Sequence, residues 1–349
     1  MIQEINRHIT GILAERALDW RSCYTNVTLQ PPDGRTVVCE SSDAGVVDEL
    51  RIRMGSSAAG GGVRFVVLPA DTDALPSGLI AANSVADVRR APLHTSELVT
   101  QIVYGDGVEP LKEHGEWYLV RLDDGYIGWI RSWHLSELSD EKQKSYAERA
   151  AHRVAINHAV VHQSPVGDAL PVTDLVVGTA LIAEDCGRRG WRAVRLPDGR
   201  EGFIATRSIE KLPVGKRTSR DALSATGLRF LGIPYIWGGT TPMGFDCSGL
   251  MQRIYRLNGT LIPRDADQQA LFGRERPPGD ADDIATGDLI FFGKSTQQIT
   301  HVGMVLSEGL FLHAYGQVRV GSMDPSSHLY EAQLVADWRI TRDVVSYLK

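Results

Sequence analysis

Cysteine is scarce in this chain, with four residues in 349, at positions 23, 39, 186 and 247. No two form a CxxC pair, and none joins histidines at zinc-like spacing. No metal and no cofactor is therefore expected. Four scattered thiols make no disulfide framework either, and they fit a reducing compartment. Basic runs are also missing. The net charge is -6 and the pI about 5.9, which excludes a nucleic-acid binder and argues against docking on anionic membranes. No apolar run reaches the length of a membrane span. The opening segment, "MIQEINRHITGILAERALDW", lacks the basic start, unbroken apolar core and small-residue cleavage site of a leader peptide. Its Ile2, Ile5, Ile9, Ile12, Leu13 and Leu18 recur at helical spacing and predict an amphipathic helix over 2–20. The expectation is a cytoplasmic protein, or a secreted one whose leader has been removed.

What is present is an ordinary globular composition, 43 % hydrophobic and 23 % charged, in a chain long enough for two or three domains. Two stretches match each other. "EWYLVRLDDGYIGWIRSWHLSEL" from Glu116 falls on "GWRAVRLPDGREGFIATRSIEKL" from Gly190, at a constant offset of 74 residues. Trp117 meets Trp191, Asp124-Gly125 meets Asp198-Gly199, and Gly128 meets Gly202. Each copy reads as strand, Asp-Gly turn, strand, which predicts two small all-β barrels at 79–140 and 150–213. A charged helical linker, "SDEKQKSYAERAAHR", separates them, and "KLPVGKRTSR" (211–220) follows the second. Residues 1–78 read as a small α+β region of unknown role. Strands are expected at "RTVVCE" and "VRFVVLP", with "SSAAGGG" as a loop between them.

Residues 217–349 change character. "SRDALSATGLRFLG", "CSGLMQRIYRLNG" and "DADQQALFG" read as helices; "GDLIFFG", "THVGMVLSEG" and "LFLHAYG" read as strands. Helices first and an antiparallel sheet afterwards make an α+β domain. Cys247 stands where a loop becomes a helix, a position that favours a thiolate. A buried structural thiol fits the same position. His301 and His313 lie on consecutive strands. An even pairing sum puts them on one face, opposite or diagonal, and Gly303 leaves room beside them. A cysteine nucleophile needs a base and a group that orients the base, and this set offers both.

"YIWGGTTPMGFDCSGLMQRIY", "IPRDADQQA", "TGDLIFF", "THVGMVL" and "FLHAYG", in this order, resemble the NlpC/P60 cysteine peptidases. "VADVRRAP…GDGVEPL…EWYLVRL…GYIGWI" resembles a bacterial SH3 (SH3b) domain. The resemblance implies a multidomain α+β protein with a papain-like NlpC/P60 domain, helices packed on an antiparallel sheet, behind two SH3b-like barrels. It also implies Cys247 as nucleophile, His301 as general base, His313 as its orienting residue and Tyr235 near the oxyanion. The narrower group with this arrangement comprises γ-D-glutamyl-L-diamino-acid endopeptidases of murein-peptide recycling. That likeness implies a stem-peptide substrate, L-Ala-γ-D-Glu-diamino acid, with a free N-terminal alanine. It implies Asp246 on the ammonium, Ser248 on the D-glutamate carboxylate, and Arg89 (or equally Arg90) with Tyr126 as the SH3b contribution. Ala266 stands where relatives often carry serine. A secreted hydrolase of polymeric peptidoglycan with SH3b wall anchors, and a non-catalytic wall-peptide binder, are the competing readings.

Overall fold

The computed structural model describes residues 1–30, 36–55, 62–70, 74–212, 218–276, 284–307 and 309–347. Helix α1 (Ile2–Glu15) is shorter than the hydrophobic spacing suggests, because the chain leaves the helix at Ala17, whose φ is +51°. Strands β1 (Thr25–Leu29), β2 (Val37–Ser41) and β3 (Val63–Val67) form one sheet in that order. β2 and β3 run parallel, so they need a crossover. Helix α2 (Ala44–Met54), unforeseen in the sequence, supplies it. Its start is set by Asp43, which accepts from the Val46 N–H, and its end by Gly55. Ile5, Ile9 and Ile12 pack on Val46, Leu50 and Met54 as this unit's core. Most of the expected "SSAAGGG" loop, residues 56–61, lies outside the described residues.

The two copies of the repeat fold alike. The first comprises β4 (Leu79–Ala81), β5 (Val85–Arg89), β6 (Leu98–Val103), β7 (Gly107–His114), β8 (Trp117–Arg121), β9 (Ile127–Arg131) and β10 (Leu135–Glu137). Helix α3 (Asp140–Arg149) leads to the second: β11 (His152–Val154), β12 (His158–His162), β13 (Pro171–Val176), β14 (Ala180–Asp185), β15 (Trp191–Arg195), β16 (Glu201–Ala205) and β17 (Ile209–Lys211). Corresponding strands start 73 residues apart up to β7 and β14, and 74 apart afterwards, so one residue enters between β14 and β15. Strand order runs β10-β4-β7-β8-β9-β5-β6 and, read from the other edge, β17-β11-β14-β15-β16-β12-β13. Each set of seven strands wraps a core, and the first packs a second cluster against Tyr24, Val66 and Leu68, but no ladder joins the outer strands. The expected small barrels are therefore open sheets, within the expected β-rich class.

After each Asp-Gly turn the copies diverge. Asp124 and Asp198 accept equivalent turn hydrogen bonds, from the N–H of Tyr126 and of Arg200. The side chains at those two positions then go to different neighbours. The Tyr126 hydroxyl reaches Asp265 at 3.3 Å. Arg200 donates to the Ala82 carbonyl and the Tyr104 hydroxyl of the first copy.

The expected linker at 211–220 falls partly on 213–217, outside the described residues. Beyond it come α4 (Arg220–Leu228), the short strands β18 (Thr240–Thr241) and β19 (Gly244–Phe245), α5 (Cys247–Leu257) and α6 (Ala266–Gln269). A six-stranded sheet follows, made of β20 (Arg274–Arg276), β21 (Leu289–Ser295), β22 (Gln298–Val305), β23 (Leu310–Tyr315), β24 (Gln317–Ser322) and β25 (Trp338–Asp343). Its order is β20-β25-β21-β22-β23-β24. Helix α5 buries Leu250, Met251, Ile254 and Tyr255 in one core with Val302, Met304 and Leu312. Each such side chain contributes roughly 1.5–3 kcal/mol, which presses the start of the helix onto the sheet.

Candidate active site

Asp246 caps α5. Its carboxylate accepts from the N–H of Gly249 at 2.6 Å and of Gly238 at 2.9 Å, tying the helix start to the preceding loop. Cys247 is the first helical residue, so the helix offers its N–H no internal acceptor. The thiol is buried, and burial together with the Asp246 charge pushes it up to about 12. The backbone N–H groups of Val302 and Ser248 face the sulfur and oppose that shift. Val302 follows His301 on β22. The helix and the hairpin, which the sequence alone does not bring together, meet there.

β22 and β23 pair with Gly303 opposite His313, which places His301 diagonally across from His313. His301 Nε2 lies 2.9 Å from His313 Nδ1. His313 is 0 % exposed. Beyond it, Arg319 Nε is 3.4 Å and Glu331 Oε1 3.7 Å from His313 Nε2, and Arg319 and Glu331 pair with each other. Burial, with the Arg319 charge behind it, lowers His301 to about 4; burial, His301 and Arg319 lower His313 to about 3. Burial thus favours the neutral form of the thiol and of both imidazoles.

Tyr235 lines the same cleft as Cys247, Ser248 and Tyr126, a hollow of about 410 Å³. Burial and the neighbouring Cys247 and Asp246 hold its phenol well above the usual value, so it remains a donor. Ser248 donates to Asp246 at 3.3 Å and accepts from Arg264 at 3.0 Å.

Two expectations need correction. Asp246 is not free for an ammonium. Besides the two backbone donors, Arg264 holds it through both Nη atoms, at 3.2 and 2.6 Å, and Arg264 is itself 1 % exposed. Arg89 does not reach the cleft, for it donates to the Ser96 carbonyl and to Asp87. A register shift between Val88 and Arg89 turns the strand end, and Arg90 is the neighbour that lines the cleft. Arg90 pairs with Glu97, which accepts from the Trp237 indole at 2.9 Å.

The accessible carboxylate beside Tyr126 is Asp265, and Ala266 stands next to it at the start of α6. Asp265 sits inside the quoted "IPRDADQQA" motif, so the sequence contained the signal. Arg21 is a further cleft residue and is hydrogen-bonded to Asp265. No local pattern marks a contact across 244 positions.

The family model described as NlpC/P60 matches residues 232–339, and that of the bacterial dipeptidyl-peptidase SH3 domain matches 88–135. The chain is 35 % identical over 229 residues to a γ-D-glutamyl-L-lysine dipeptidyl-peptidase of Bacillus subtilis (strain 168), covering 62 % of this chain and 71 % of that protein. It is 30 % identical over 261 residues to dipeptidyl-peptidase 6 of Lysinibacillus sphaericus, covering 72 % and 93 %. The solved structure of an NlpC/P60 family protein from Bacillus cereus ATCC 10987 superposes with a TM-score of 0.64 at 22 % identity, covering 77 % of this chain and 100 % of that one. That last likeness concerns the fold alone.

Proposed function

This chain belongs to the NlpC/P60 family of peptidases, and on that premise we propose that it hydrolyses the γ-D-glutamyl amide of a murein stem peptide with a free N-terminal L-alanine. The names of the relatives point to L-lysine on the leaving side. The single observation that carries the reading is Cys247 at the start of α5, facing Val302 beside the His301–His313 pair, in a cleft that Tyr126 of the first SH3 sheet also lines.

The chemistry follows from those positions. His301 takes the thiol proton as sulfur attacks the amide carbonyl. Its Nε2–H then donates to His313 Nδ1, which requires the His313 proton on Nε2, toward Glu331, with the Arg319 Nε–H released from that nitrogen. The Cys247 N–H and the Tyr235 hydroxyl receive the developing oxyanion. His301 returns the proton to the departing amine, leaving a thioester that water hydrolyses with His301 as base. The substrate ammonium is met by Asp265 and the Tyr126 hydroxyl, and the Ser248 hydroxyl turns its proton from Asp246 to the D-glutamate carboxylate.

The test is release of free lysine from L-Ala-γ-D-Glu-L-Lys and from its N-acetylated twin, by wild type and Cys247→Ala. Cleavage of the free-amine peptide alone, lost in the variant, is expected. Equal cleavage of both peptides removes the amine-reading role. No cleavage of either, nor of the diaminopimelate peptide or purified murein, sinks the proposal.

A further inference from the structure

Neither family model reaches residues 1–67, yet this unit enters the catalytic cleft. Past α1 the chain turns at Ala17 and delivers Asp19, Trp20 and Arg21. The Arg21 carbonyl accepts from the Ile127 N–H at 2.7 Å, one residue from Tyr126. Trp20 lies against the Arg90 guanidinium, 4.2 Å from ring centre to carbon. The Trp20-Arg21 segment is thus seated on the first SH3 sheet, and both side chains line the hollow that contains Cys247.

Arg21 donates through Nη1 to Asp265 at 3.0 Å and Asp267 at 2.7 Å, through Nη2 to Asp267 at 2.8 Å and Asp19 at 2.6 Å, and through Nε to Asp19 at 2.9 Å. The five N–H groups of the fork are all taken by three carboxylates, so Arg21 offers nothing to a substrate carboxylate. Three carboxylates against one guanidinium still leave this end of the cleft negative. The oxygen of Asp265 that Arg21 holds is the one that accepts from the Tyr126 hydroxyl. The rest of the Asp265 carboxylate is engaged by the capping box of α6 and, more distantly, by Arg264 at 3.8 Å. Burial pushes the Asp265 carboxyl up, and Arg264 and Arg21 oppose it.

We infer that Arg21 is a positioning residue for substrate selection: the N-terminal unit inserts it to hold Asp265, ionised and aimed beside Tyr126, where the substrate ammonium arrives. This rests on the amine reading proposed above. It assigns the N-terminal unit a part in specificity that the peptidase and SH3 domains alone do not supply.

The experiment compares wild type, Arg21→Gln and Arg21→Lys on L-Ala-γ-D-Glu-L-Lys and its N-acetylated twin, with KM and kcat measured separately. With wild type selective for the free amine, Arg21→Gln is expected to raise KM for that peptide about ten- to hundredfold, the loss of one charge-assisted contact. Its kcat should fall several-fold less, and Arg21→Lys should recover part of the KM. A wild type that is selective, with Arg21→Gln unchanged in KM and in selectivity, overturns the inference and leaves the proposed function standing. A wild type that cleaves both peptides equally overturns the amine reading itself. Should Arg21→Gln unfold, Asp19→Asn, which loosens Arg21 from its own segment, gives the same readout. The rate of Cys247 alkylation reports whether the nucleophile is intact in each variant.

Discussion

A carboxylate that accepts from two backbone amides and a buried guanidinium behaves unlike one that waits for a ligand, and Asp246 is of the first kind. Asp246→Asn puts an NH₂ against Arg264 or a backbone N–H and leaves the guanidinium without its partner charge. A loss of about 3–5 kcal/mol is expected, read as a lower urea midpoint at unchanged slope. Asp265→Asn keeps a side-chain cap for α6 and gives up a partly exposed ion pair with Arg21, so a cost of about 1 kcal/mol or less is expected; its effect belongs in KM. At the same scale the paired histidines set a pH dependence. Both are held below their ordinary value of 6.5, His301 to about 4 and His313 to about 3. As pH falls from 6.5 toward 4 the unfolded chain takes up protons that the folded chain refuses, so stability falls with pH across that window. Replacing His313 by Asn should flatten that slope in denaturation curves taken from pH 7 to pH 4. An unchanged slope would show that other groups carry it.

At the scale of elements, the loop before α5 is held by close backbone approach. Gly238 has φ +76°, and a Cβ there would meet the Leu98 carbonyl oxygen of the first repeat at 2.3 Å. Gly238→Ala should therefore cost about 1–3 kcal/mol and shift the Asp246 cap as well, since the Gly238 N–H is one of its donors. Activity should fall further than stability explains, measured as kcat/KM under conditions where the variant is fully folded. Helix α5 and the β22–β23 hairpin were legible in the sequence because each carries its own periodicity, and the register placed His301 and His313 on one face. Helix α2 was hidden because its apolar residues Val46, Val47, Leu50 and Met54 do not dominate a segment rich in Asp, Glu and Arg, although the Asp43 cap and the Gly55 stop were there to be read. The role of Asp246 was misread for a related reason. Its neighbour Arg264 is 18 positions away, and nothing in one dimension shows that they meet.

At the scale of the molecule, the peptidase domain leans on the first repeat through several polar contacts. Thr240 bonds to Gln101, Gln252 to Asp124, Arg256 to Asp123, and the buried Arg264 to Thr100. The second repeat touches it through Arg153, which donates to the Leu257 carbonyl. A fragment of residues 218–349 bares these partners. It should be less stable than the full chain by roughly 0.5–1.5 kcal/mol for each of these hydrogen bonds exchanged for water, and any residual cleavage should not distinguish free from acetylated amines. Equal stability, with selectivity retained, would show that the other units are passengers.

The position after each Asp-Gly turn carries a history. A duplicated segment began with one side chain at that place in both copies. Today a phenol there faces the cleft and a guanidinium there braces the sibling copy. The ancestral site has been divided between a cleft wall and a clasp, and the copies have lost their interchangeability. A gene with the two repeats transposed would encode the same strands and the same cores. It would also bring Arg200's side chain against Asp265, so that the enzyme carried its own cation in the place proposed for its substrate's.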